Sequence, residues 1–215
     1  EMAGEPSKTE RVYEYVASRH ARGLYPPGHK FVIARLGEET GVSQVPVREA
    51  LRRLEADGIV EYVHQRGFRA VRPEPEELAQ LLEAHGAIES IVVSLAVPRR
   101  RASDVAALRG ENDRLAAAVA ADDGDDFAAA SLAFHRILVQ RCPNRYLLSA
   151  LENQAMQGAA MRAAAVVLTP ERAADVVAEH AALLTAIDGG VPAEDIERML
   201  RAHRQSNVVA YRASL

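Results

Sequence analysis

The sequence predicts a mostly α-helical protein, in which three helices and a β-hairpin are followed by an all-α antiparallel bundle of about six helices. Apolar residues make up 48% of the chain and aromatic residues only 5%, so the core is expected to consist of Ala, Leu and Val, which favours helices. β-like segments occur only over 59–63 and 68–72. Beyond them, long helical segments are separated by short breaks, which is typical of antiparallel bundles.

The first three helices are placed by their start and stop signals. Amphipathic patterns predict a helix over 8–22 and a second over 32–40, which is ended by Gly41 in the left-handed conformation common after helices. Ser43 is a good N-cap for a third helix. Pro46 then lies in the first turn of the third helix, where a backbone N–H has no partner within the helix. The proline is therefore compatible with the helix.

A β-hairpin follows the third helix. Its strands are predicted over 59–63 and 68–72, and the His-Gln-Arg-Gly turn between them ends on Gly67, which can take a positive φ. Two helices joined by a Thr-Gly-Val-Ser turn and followed by such a hairpin form a winged helix-turn-helix. Pro73 and Pro75 mark the end of this unit. The predicted domains are a winged helix-turn-helix over 1–72, a linker over 73–77 and an all-helical domain over 78–215.

Charge and composition restrict the classes of function. The net charge is −4, but residues 1–72 hold 12 Lys/Arg against 10 Asp/Glu, whereas residues 73–215 hold 14 against 20. A mildly basic first domain is compatible with DNA binding by that domain alone. The single Cys142 excludes an internal disulfide and fits a reducing compartment. No apolar run approaches the roughly 18 residues that span a bilayer, and no secretory signal is evident. We therefore expect a cytoplasmic protein without a membrane partner.

The third helix carries residue types that read DNA, because the N-terminal residues of such a helix enter the major groove. Gln44 suits adenine, and Val45 and Pro46 suit thymine methyl groups. Arg48 and Arg52 lie on one face and suit phosphate or guanine. An Arg-rich amphipathic helix is also common on ordinary protein surfaces, so the pattern alone leaves both interpretations open. The predicted DNA-binding residues are Arg35, Ser43, Gln44, Val45, Pro46, Arg48, Arg52, His64, Arg66 and Gly67.

The helices of the second domain are predicted over about 75–97, 102–122, 125–142, 144–168, 170–188 and 192–212. Polar residues interrupt the apolar stripes of five of them near the midpoint. Because midpoints lie at similar depths in an antiparallel bundle, the interruptions predict a polar layer inside an apolar core. An unpartnered buried polar group costs about 1–3 kcal/mol, so the layer should bind itself, water, a metal or a polar ligand. Its residues are His85, Glu89, Asn112, Ser131, His135, His180, His203 and Asn207.

Residues 24–68 closely resemble the winged helix of the GntR family of bacterial transcription regulators, above all in the segment PVREALRRLEADG at 46–58. The resemblance covers residues 9–72 and implies DNA binding by this domain. Two positions depart from the common pattern of the family. Gln44 stands where Arg is frequent, and Ala34–Arg35 stands where an acidic residue and Arg are frequent. Both departures imply a different operator sequence.

The second domain resembles the all-helical FCD effector domain of the FadR-like subgroup of this family. The matching segments are AFHRIL and CPNRYL within 133–148, EHAALLTAI at 179–187 and MLRAHRQS at 199–206. The resemblance implies that His135, His180 and His203 bind a divalent metal. Neutral imidazoles suit Zn²⁺, Ni²⁺ or a similar transition-metal ion.

Ser131 departs from the metal-binding pattern, because the family commonly has Asp four residues before the first histidine. Three arrangements are open. The three histidines hold the metal with water and a carboxylate effector; or His85 or Glu89 replaces the Asp; or the histidines bind an anionic ligand without a metal. The first is our prediction. The predicted effector pocket consists of His85, Glu89, Asn112, Ser131, Arg162 and Asn207.

Together these features predict a ligand-responsive transcription regulator that binds a pseudo-palindromic operator as a homodimer and a small carboxylate in its helical domain. One alternative gives the helical domain a larger acyl ligand and no metal. A metal-dependent hydrolase is a further alternative, which we disfavour because Glu89 is the only acidic residue in the layer that could act as a general base. Glu179 is expected to point about 100° away from His180 on its helix. We therefore expect no enzymatic activity.

Overall fold

The computed structural model of the protein describes residues 6–21, 23–72, 74–156 and 169–215. The chain divides into two compact units, one that holds the described residues up to Glu74 and one that holds most of the described residues from Pro75 onwards. We call the described residues up to Glu74 the head, and the helices from Pro75 onwards the body.

The head consists of three helices and a two-stranded antiparallel sheet, as predicted. Its elements are α1 (Lys8–Ala21), α2 (Ile33–Thr40), α3 (Gln44–Ala56), β1 (Val60–Val63) and β2 (Gly67–Ala70). The strands pair from Val60 opposite Ala70 to Val63 opposite Gly67. Both strands are shorter than predicted at the ends away from the turn, and β2 begins one residue earlier than predicted, at Gly67.

The main core of the head is apolar and lies between the helices and the sheet of the head. Side chains from α1, α3 and the start of the hairpin are completely buried in it. They include Val12, Val16, Leu51, Leu54 and Ile59. Burial of one face of α3 leaves its other face free, as the apolar periodicity of the sequence predicts.

The turn between α2 and α3 depends on two glycines. Gly41 has a φ of 69°, the left-handed conformation predicted for it. A Cβ on Gly37 would lie 2.8 Å from the carbonyl oxygen of Val42, so a side chain there would prevent the close approach. Ser43 occupies the N-cap position with extended backbone, but its side chain makes no capping hydrogen bond, contrary to the expectation. Pro46 lies in the first turn of α3, as predicted.

The body consists of helices connected by short segments. They are α4 (Pro75–Ala96), continued by a 3₁₀ turn (Val97–Arg99), α5 (Ala102–Ala121), α6 (Gly124–Val139), α7 (Arg145–Met156), α8 (Pro170–Asp188) and α9 (Ala193–Ala213). These helices lie where predicted, except that 157–168 of the predicted fourth helix lie outside the described residues. Residues 75–77, predicted as linker, form the first turn of α4, since Pro suits the first position of a helix.

Apolar side chains from α4, α5, α6, α8 and α9 form the main core of the body. Their most buried members include Val93, Leu108, Phe134, Leu183 and Leu200. Each of these five helices thus contributes to the same cluster, which is the arrangement expected of a helical bundle.

Pro75–Arg99 is long and apolar enough to cross a membrane by length and composition, with a mean hydropathy of 1.4. This finding corrects the expectation that no run of the chain approaches that length. However, Val92 and Val93 on α4 are completely buried, and so are the ionisable His85 and Glu89 apart from a few per cent of their surface. We therefore interpret α4 as a core helix of the body.

Candidate metal centre and nucleic-acid interface

The exposed face of α3 presents the residues predicted to read DNA. Gln44, Val45 and Arg48 are exposed, and Val45 leaves 66% of its surface in solvent. On the opposite face, Leu51 and Leu54 are completely buried. The outer face of α3 is therefore free to contact another molecule, while the inner face holds the helix to the core.

The tip of the β-hairpin presents three exposed polar residues, His64, Gln65 and Arg66. The turn requires two positive φ values, 61° at Gln65 and 79° at Gly67. Among the described residues, the guanidinium of Arg66 has no ion-pair or hydrogen-bond partner, and neither does that of Arg48 on α3. Both cations are thus available to a polyanion.

Two other arginines of the predicted interface are already paired within the head. Arg35 forms a salt bridge with Glu39 at 2.9 Å, one turn along α2. Arg52 forms one with Glu55 at 2.7 Å, and its guanidinium lies 4.8 Å from the ring centre of Tyr62. A contact of either arginine with DNA would therefore compete with an existing ion pair.

Three histidines from three helices meet in the interior of the body. His135 lies on α6, His180 on α8 and His203 on α9, and all three are buried. One ring nitrogen of each lies within 4.8 Å of the others, so the three could ligate a single metal ion. The ring centre of His180 lies 5.1 Å from that of His135 and 4.8 Å from that of His203. These spacings place three nitrogen donors around one point.

His203 is held by a carboxylate, which is itself held by an arginine. The Nδ1 atom of His203 lies 2.5 Å from Oε2 of Glu179. Glu179 accepts two hydrogen bonds from the guanidinium of Arg172, at 2.7 Å each. Arg172 is itself buried, and its Nε donates to Asn207 at 3.0 Å. Asn207, predicted as a pocket residue, thus supports the arginine rather than facing the histidines directly.

His135 has a comparable pair of neighbours. Oε1 of Glu89 lies 3.0 Å from Nδ1 of His135, and the other carboxylate oxygen forms a salt bridge with Arg204. The angle at the ring nitrogen is not that of a hydrogen bond, so the attraction between Glu89 and His135 is electrostatic. Arg204 crosses α4 at Gly86, where a Cβ would lie 2.6 Å from the Cβ of Arg204. Only glycine leaves room for this crossing.

His180 is oriented by packing. Its ring stacks on Phe134, with the ring centres 4.0 Å apart and an angle of 2° between the planes. Its Nε2 lies 3.4 Å from Nε2 of His203, while its Nδ1 is buried without a hydrogen-bond partner among the described residues. The stack fixes the plane of the imidazole and so directs its nitrogens.

Burial keeps the histidine rings neutral. It lowers the pKa of His135 to about 4, and, together with the charges of the neighbouring histidines, it lowers the pKa of His180 further. Burial also lowers the pKa of His203, in spite of its contact with a carboxylate. Burial would raise the pKa of Glu89, but Arg204 and His135 hold it well below its ordinary value. Near neutral pH the imidazoles therefore keep lone pairs, which metal ions require.

The remaining predicted pocket residues contribute less to this cluster. The Nδ1 atom of His85 is buried without a described partner, and burial together with the charge of Arg204 lowers its pKa to about 4. The Oδ1 atom of Asn112 is also buried without a described partner, and no described hydrogen bond joins it to the three histidines. Ser131 is half-buried and offers no charge. Arg162 lies outside the described residues.

Sequence reasoning placed Glu89 in the polar layer but missed the other charged groups around the histidines, Arg172, Glu179 and Arg204. The expectation that Glu179 points away from the site is wrong, because its side chain crosses to His203 on the neighbouring helix. A local signal was available, since Arg172 and Glu179 lie seven residues apart, two turns along one face. No such signal joins Arg204 to Glu89, which are 115 residues apart in the sequence.

A cleft of about 230 Å³ lies between α8 and α9, beside the histidines. Its lining includes His180, His203 and Glu179, together with the apolar side chains of Ala182 and Met199. The cleft therefore leads towards two of the three histidines along a partly apolar wall.

Comparison with known families assigns both units. The FCD domain matches residues 80–206, and the DNA-binding region described as bacterial regulatory proteins of the gntR family matches residues 8–69. The chain belongs to the GntR family. It is a transcriptional regulator with a GntR DNA-binding domain and an FCD effector-binding domain, which confirms the resemblance seen in the sequence.

Individual relatives agree with this assignment. The chain is 29% identical over 198 residues to a probable D-xylose utilization operon transcriptional repressor of Paenarthrobacter nicotinovorans. The match covers 90% of this chain and 84% of the repressor. It is 30% identical over 144 residues to the HTH-type transcriptional repressor GlaR of Escherichia coli K12. That match covers 65% of this chain and 66% of the repressor, just under two thirds of its length.

The fold recurs in solved structures. E. coli McbR/YncC matches with a TM-score of 0.77 and 21% identity, over 96% of this chain and 98% of that chain. A putative GntR regulator from Rhodococcus sp. RHA1 matches with a TM-score of 0.73 and 18% identity, over 97% and 99%. These matches confirm the predicted fold. Since the relatives are named as transcriptional regulators and repressors, the expectation that the chain is not an enzyme is confirmed as well.

Proposed function

We propose that this GntR-family protein is a ligand-responsive regulator, which binds a pseudo-palindromic operator as a homodimer and a small carboxylate, together with a divalent metal, in its body. The observation that carries the sensor function is the convergence of His135, His180 and His203 from three helices on one buried point. The regulator acts in the cytoplasm, where bacterial operators lie.

The described side chains fit a transition-metal ion such as Zn²⁺ or Ni²⁺. Both ring nitrogens of His135 and Nδ1 of His180 are buried without a hydrogen-bond partner among the described residues. Each such atom costs roughly 1–3 kcal/mol unless something binds it. Neutral imidazoles suit zinc and nickel, whereas Mg²⁺ and Ca²⁺ prefer oxygen ligands. The ion would supply a Lewis-acidic centre that attracts an anionic oxygen.

Charge balance favours a carboxylate as the effector. Glu89 pairs with Arg204, and Glu179 pairs with Arg172, so these four charges cancel. Ser131 adds no carboxylate where the family commonly has one. A divalent ion on three neutral histidines therefore keeps its positive charge, which is costly in the interior until a ligand brings negative charge. Replacement of the missing Asp by Glu89 is less well supported, because Arg204 and His135 already engage both of its oxygens.

In the head we assign the operator contacts to α3, its N-cap, the hairpin tip and Arg35 on α2. Arg48 and Arg66 are assigned to phosphate or guanine, because their cations are not engaged by described residues and can displace counterions from DNA directly. Gln44 is assigned to adenine and Val45 to a thymine methyl group. The remaining assigned contacts are Arg35, Ser43, Pro46, Arg52, His64 and Gly67.

Effector and operator binding are linked through the two domains of one chain. If the effector-bound body favours a state in which the head binds its operator differently, each ligand changes the affinity of the other by the same factor. Typical coupling free energies of 1–3 kcal/mol correspond to roughly 5–150-fold. The segment that begins at residue 73 and leads into α4 is the part of the chain that we assign to transmission.

A metal-free body that binds a larger acyl ligand is the second candidate. The apolar side chains of Ala182 and Met199 in the cleft between α8 and α9 favour it, because they suit an aliphatic tail rather than a small polar acid.

Elemental analysis of protein purified without chelator separates the two candidates. The proposed function requires about one transition-metal ion per protomer, together with carboxylates that raise the unfolding temperature only when the metal is present. A protein that remains free of metal after incubation with Zn²⁺ and with Ni²⁺ contradicts the metal-dependent proposal and supports the acyl alternative.

A further inference from the structure

We propose that two carboxylates, Glu89 and Glu179, are positioning residues that fix the tautomer and ring orientation of His135 and His203. Each carboxylate is held in place by an arginine. This inference rests on the proposed function, because it describes how the chain prepares these histidines for a cation. It gives a role in the metal site to residues that are not themselves metal ligands.

The contact between Glu179 and His203 defines the tautomer of that ring. A carboxylate that accepts two hydrogen bonds from one guanidinium is ionised, and an ionised carboxylate only accepts hydrogen bonds. The 2.5 Å contact with Nδ1 of His203 therefore requires a proton on Nδ1. The lone pair is then on Nε2, the atom that faces Nε2 of His180 at 3.4 Å. Glu179 thus directs the free nitrogen of His203 towards the centre of the cluster.

Arg172 keeps the carboxylate of Glu179 from turning. Its two Nη atoms each donate to a different oxygen of Glu179 at 2.7 Å, a bidentate pair with fixed geometry. Arg172 cannot move away easily, because it is 9% exposed and its Nε is bound to Asn207. Since both oxygens of Glu179 are engaged in this way, the residue stays outside the set of metal donors.

Glu89 acts on His135 from the other side of the cluster. Its carboxylate is 2% exposed and lies 3.0 Å from Nδ1 of His135, so its negative charge favours a proton on that nitrogen. Nε2 of His135 is then the free donor. Arg204 binds the second oxygen of Glu89, and Gly86 provides the space that lets Arg204 reach it. The arrangement of Arg, Glu and His therefore occurs twice around one cluster.

His180 completes the set by a different means. Its plane is set by the stack on Phe134, and among the described residues it has no hydrogen bond or ion pair with a carboxylate. The three rings are therefore oriented independently of any ion, so the donors are preorganised.

Isosteric substitutions test the positioning role. Glu179→Gln and Glu89→Gln keep the side-chain shape but remove the charge that selects the tautomer. Replacing groups that hold metal-ligating histidines typically lowers metal affinity by roughly 10–100-fold. We therefore expect each variant to bind Zn²⁺ about 10–100-fold more weakly than the unaltered protein in competition with a chromophoric chelator. Zn²⁺ affinity unchanged in both variants overturns the proposal.

The matched controls are glutamates on α4 and α9 that pair with other arginines. Glu83→Gln on α4 loses a contact with Arg212, and Glu197→Gln on α9 loses a contact with Arg201. Both controls should bind Zn²⁺ like the unaltered protein. Equal weakening in the controls would show a general effect of charge and would also overturn the proposal.

The tautomer can be measured without any substitution. In the metal-free protein, two-bond ¹⁵N–¹H correlation spectra of the histidine rings report which nitrogen carries the proton. We expect Nδ1–H in both His135 and His203, and an Nε2–H tautomer in either ring overturns its part of the proposal. Because this measurement needs no metal, it stands apart from the proposed function. Absence of Zn²⁺ binding by the unaltered protein contradicts the metal-dependent function. An Nε2–H tautomer of His135 or His203 contradicts the positioning role of its carboxylate.

Discussion

The head and the body use charged side chains in opposite ways. In the head the main core is apolar, and Arg48 and Arg66 lie on the surface without partners among the described residues. In the body the carboxylate of Glu89 is buried between Arg204 and His135. A surface cation is available to a polyanion from outside, whereas a buried charge is retained only where partners surround it. The difference supports the proposal that the head reads a large external ligand and the body encloses a small one.

If the two regions are specialised in this way, a substitution in one should change one ligand and leave the other alone. The largest expected effect is that of His180→Ala. Removing one of three nitrogen donors should abolish bound metal, and with it the stabilisation that the metal confers, about 2.7 kcal/mol at a metal concentration 100 times the dissociation constant. Metal content and thermal unfolding with and without Zn²⁺ measure both effects.

The matched control for His180→Ala is His64→Ala, which removes an exposed histidine of the hairpin tip. It should keep the metal and its stabilisation. Metal retained at full occupancy in His180→Ala would remove that residue from the site.

Arg48→Ala tests the other side of the comparison. Loss of an arginine that contacts DNA is expected to weaken operator binding by about 1–3 kcal/mol, and to lower the salt dependence of binding if the contact is to phosphate. The measurement is a binding titration against a duplex selected from a random pool by the unaltered protein. Metal content should not change.

Arg35→Ala is the internal reference for Arg48→Ala. Because Arg35 already pairs with Glu39, its removal should cost less operator affinity. Equal losses of operator affinity in both variants would show that an ion pair within the head does not decide how much an arginine contributes to DNA binding.

Gly86→Ala sharpens the comparison within the body. The added Cβ would lie 2.6 Å from the Cβ of Arg204, and such overpacking typically costs about 1–3 kcal/mol of unfolding free energy. Gly110→Ala on α5 is the control, since a Cβ there meets nothing within 4 Å and alanine should stabilise the helix by roughly 0.5–1 kcal/mol. Denaturant unfolding of the metal-free proteins should therefore shift in opposite directions. A shift in the same direction would show that the close approach of α9 to α4 is not needed.

The smallest expected effect is a gain. Ser131→Asp places a carboxylate one turn before His135, and it should tighten Zn²⁺ binding by about tenfold, at the low end of charge-assisted contacts. Ser131→Asn matches its shape without its charge and should not tighten binding. Chelator competition measures both variants. Unchanged affinity in Ser131→Asp would mean that positions 131 and 135 do not face the same site.

Much of the head could be predicted because its signals are local. The left-handed Gly41 and the first-turn Pro46 are each decided by a few neighbouring residues, and the apolar period of α3 fixes which face is buried. The ends of the strands were less predictable, because they depend on which residues pair across the hairpin and not on β propensity alone.

The interior of the body was predictable in part. Helical periodicity placed His135, His180 and His203 at similar depth, because each interrupts an apolar stripe near the middle of its helix. The same reasoning placed Glu89 in this layer, but its contact with His135 and that of Glu179 with His203 could not be read from the sequence. Arg204 reaches Glu89 across the packed helices, and nothing in the local sequence marks Gly86 as the point of crossing. Such contacts depend on tertiary packing.

X-ray absorption spectroscopy of the zinc-loaded protein tests most directly whether the three histidines share one cation. We expect a shell with about three imidazole nitrogens at about 2.0–2.1 Å, completed by oxygen ligands. A zinc shell of oxygen alone, or an unaltered protein that binds no zinc, would contradict this account of the body.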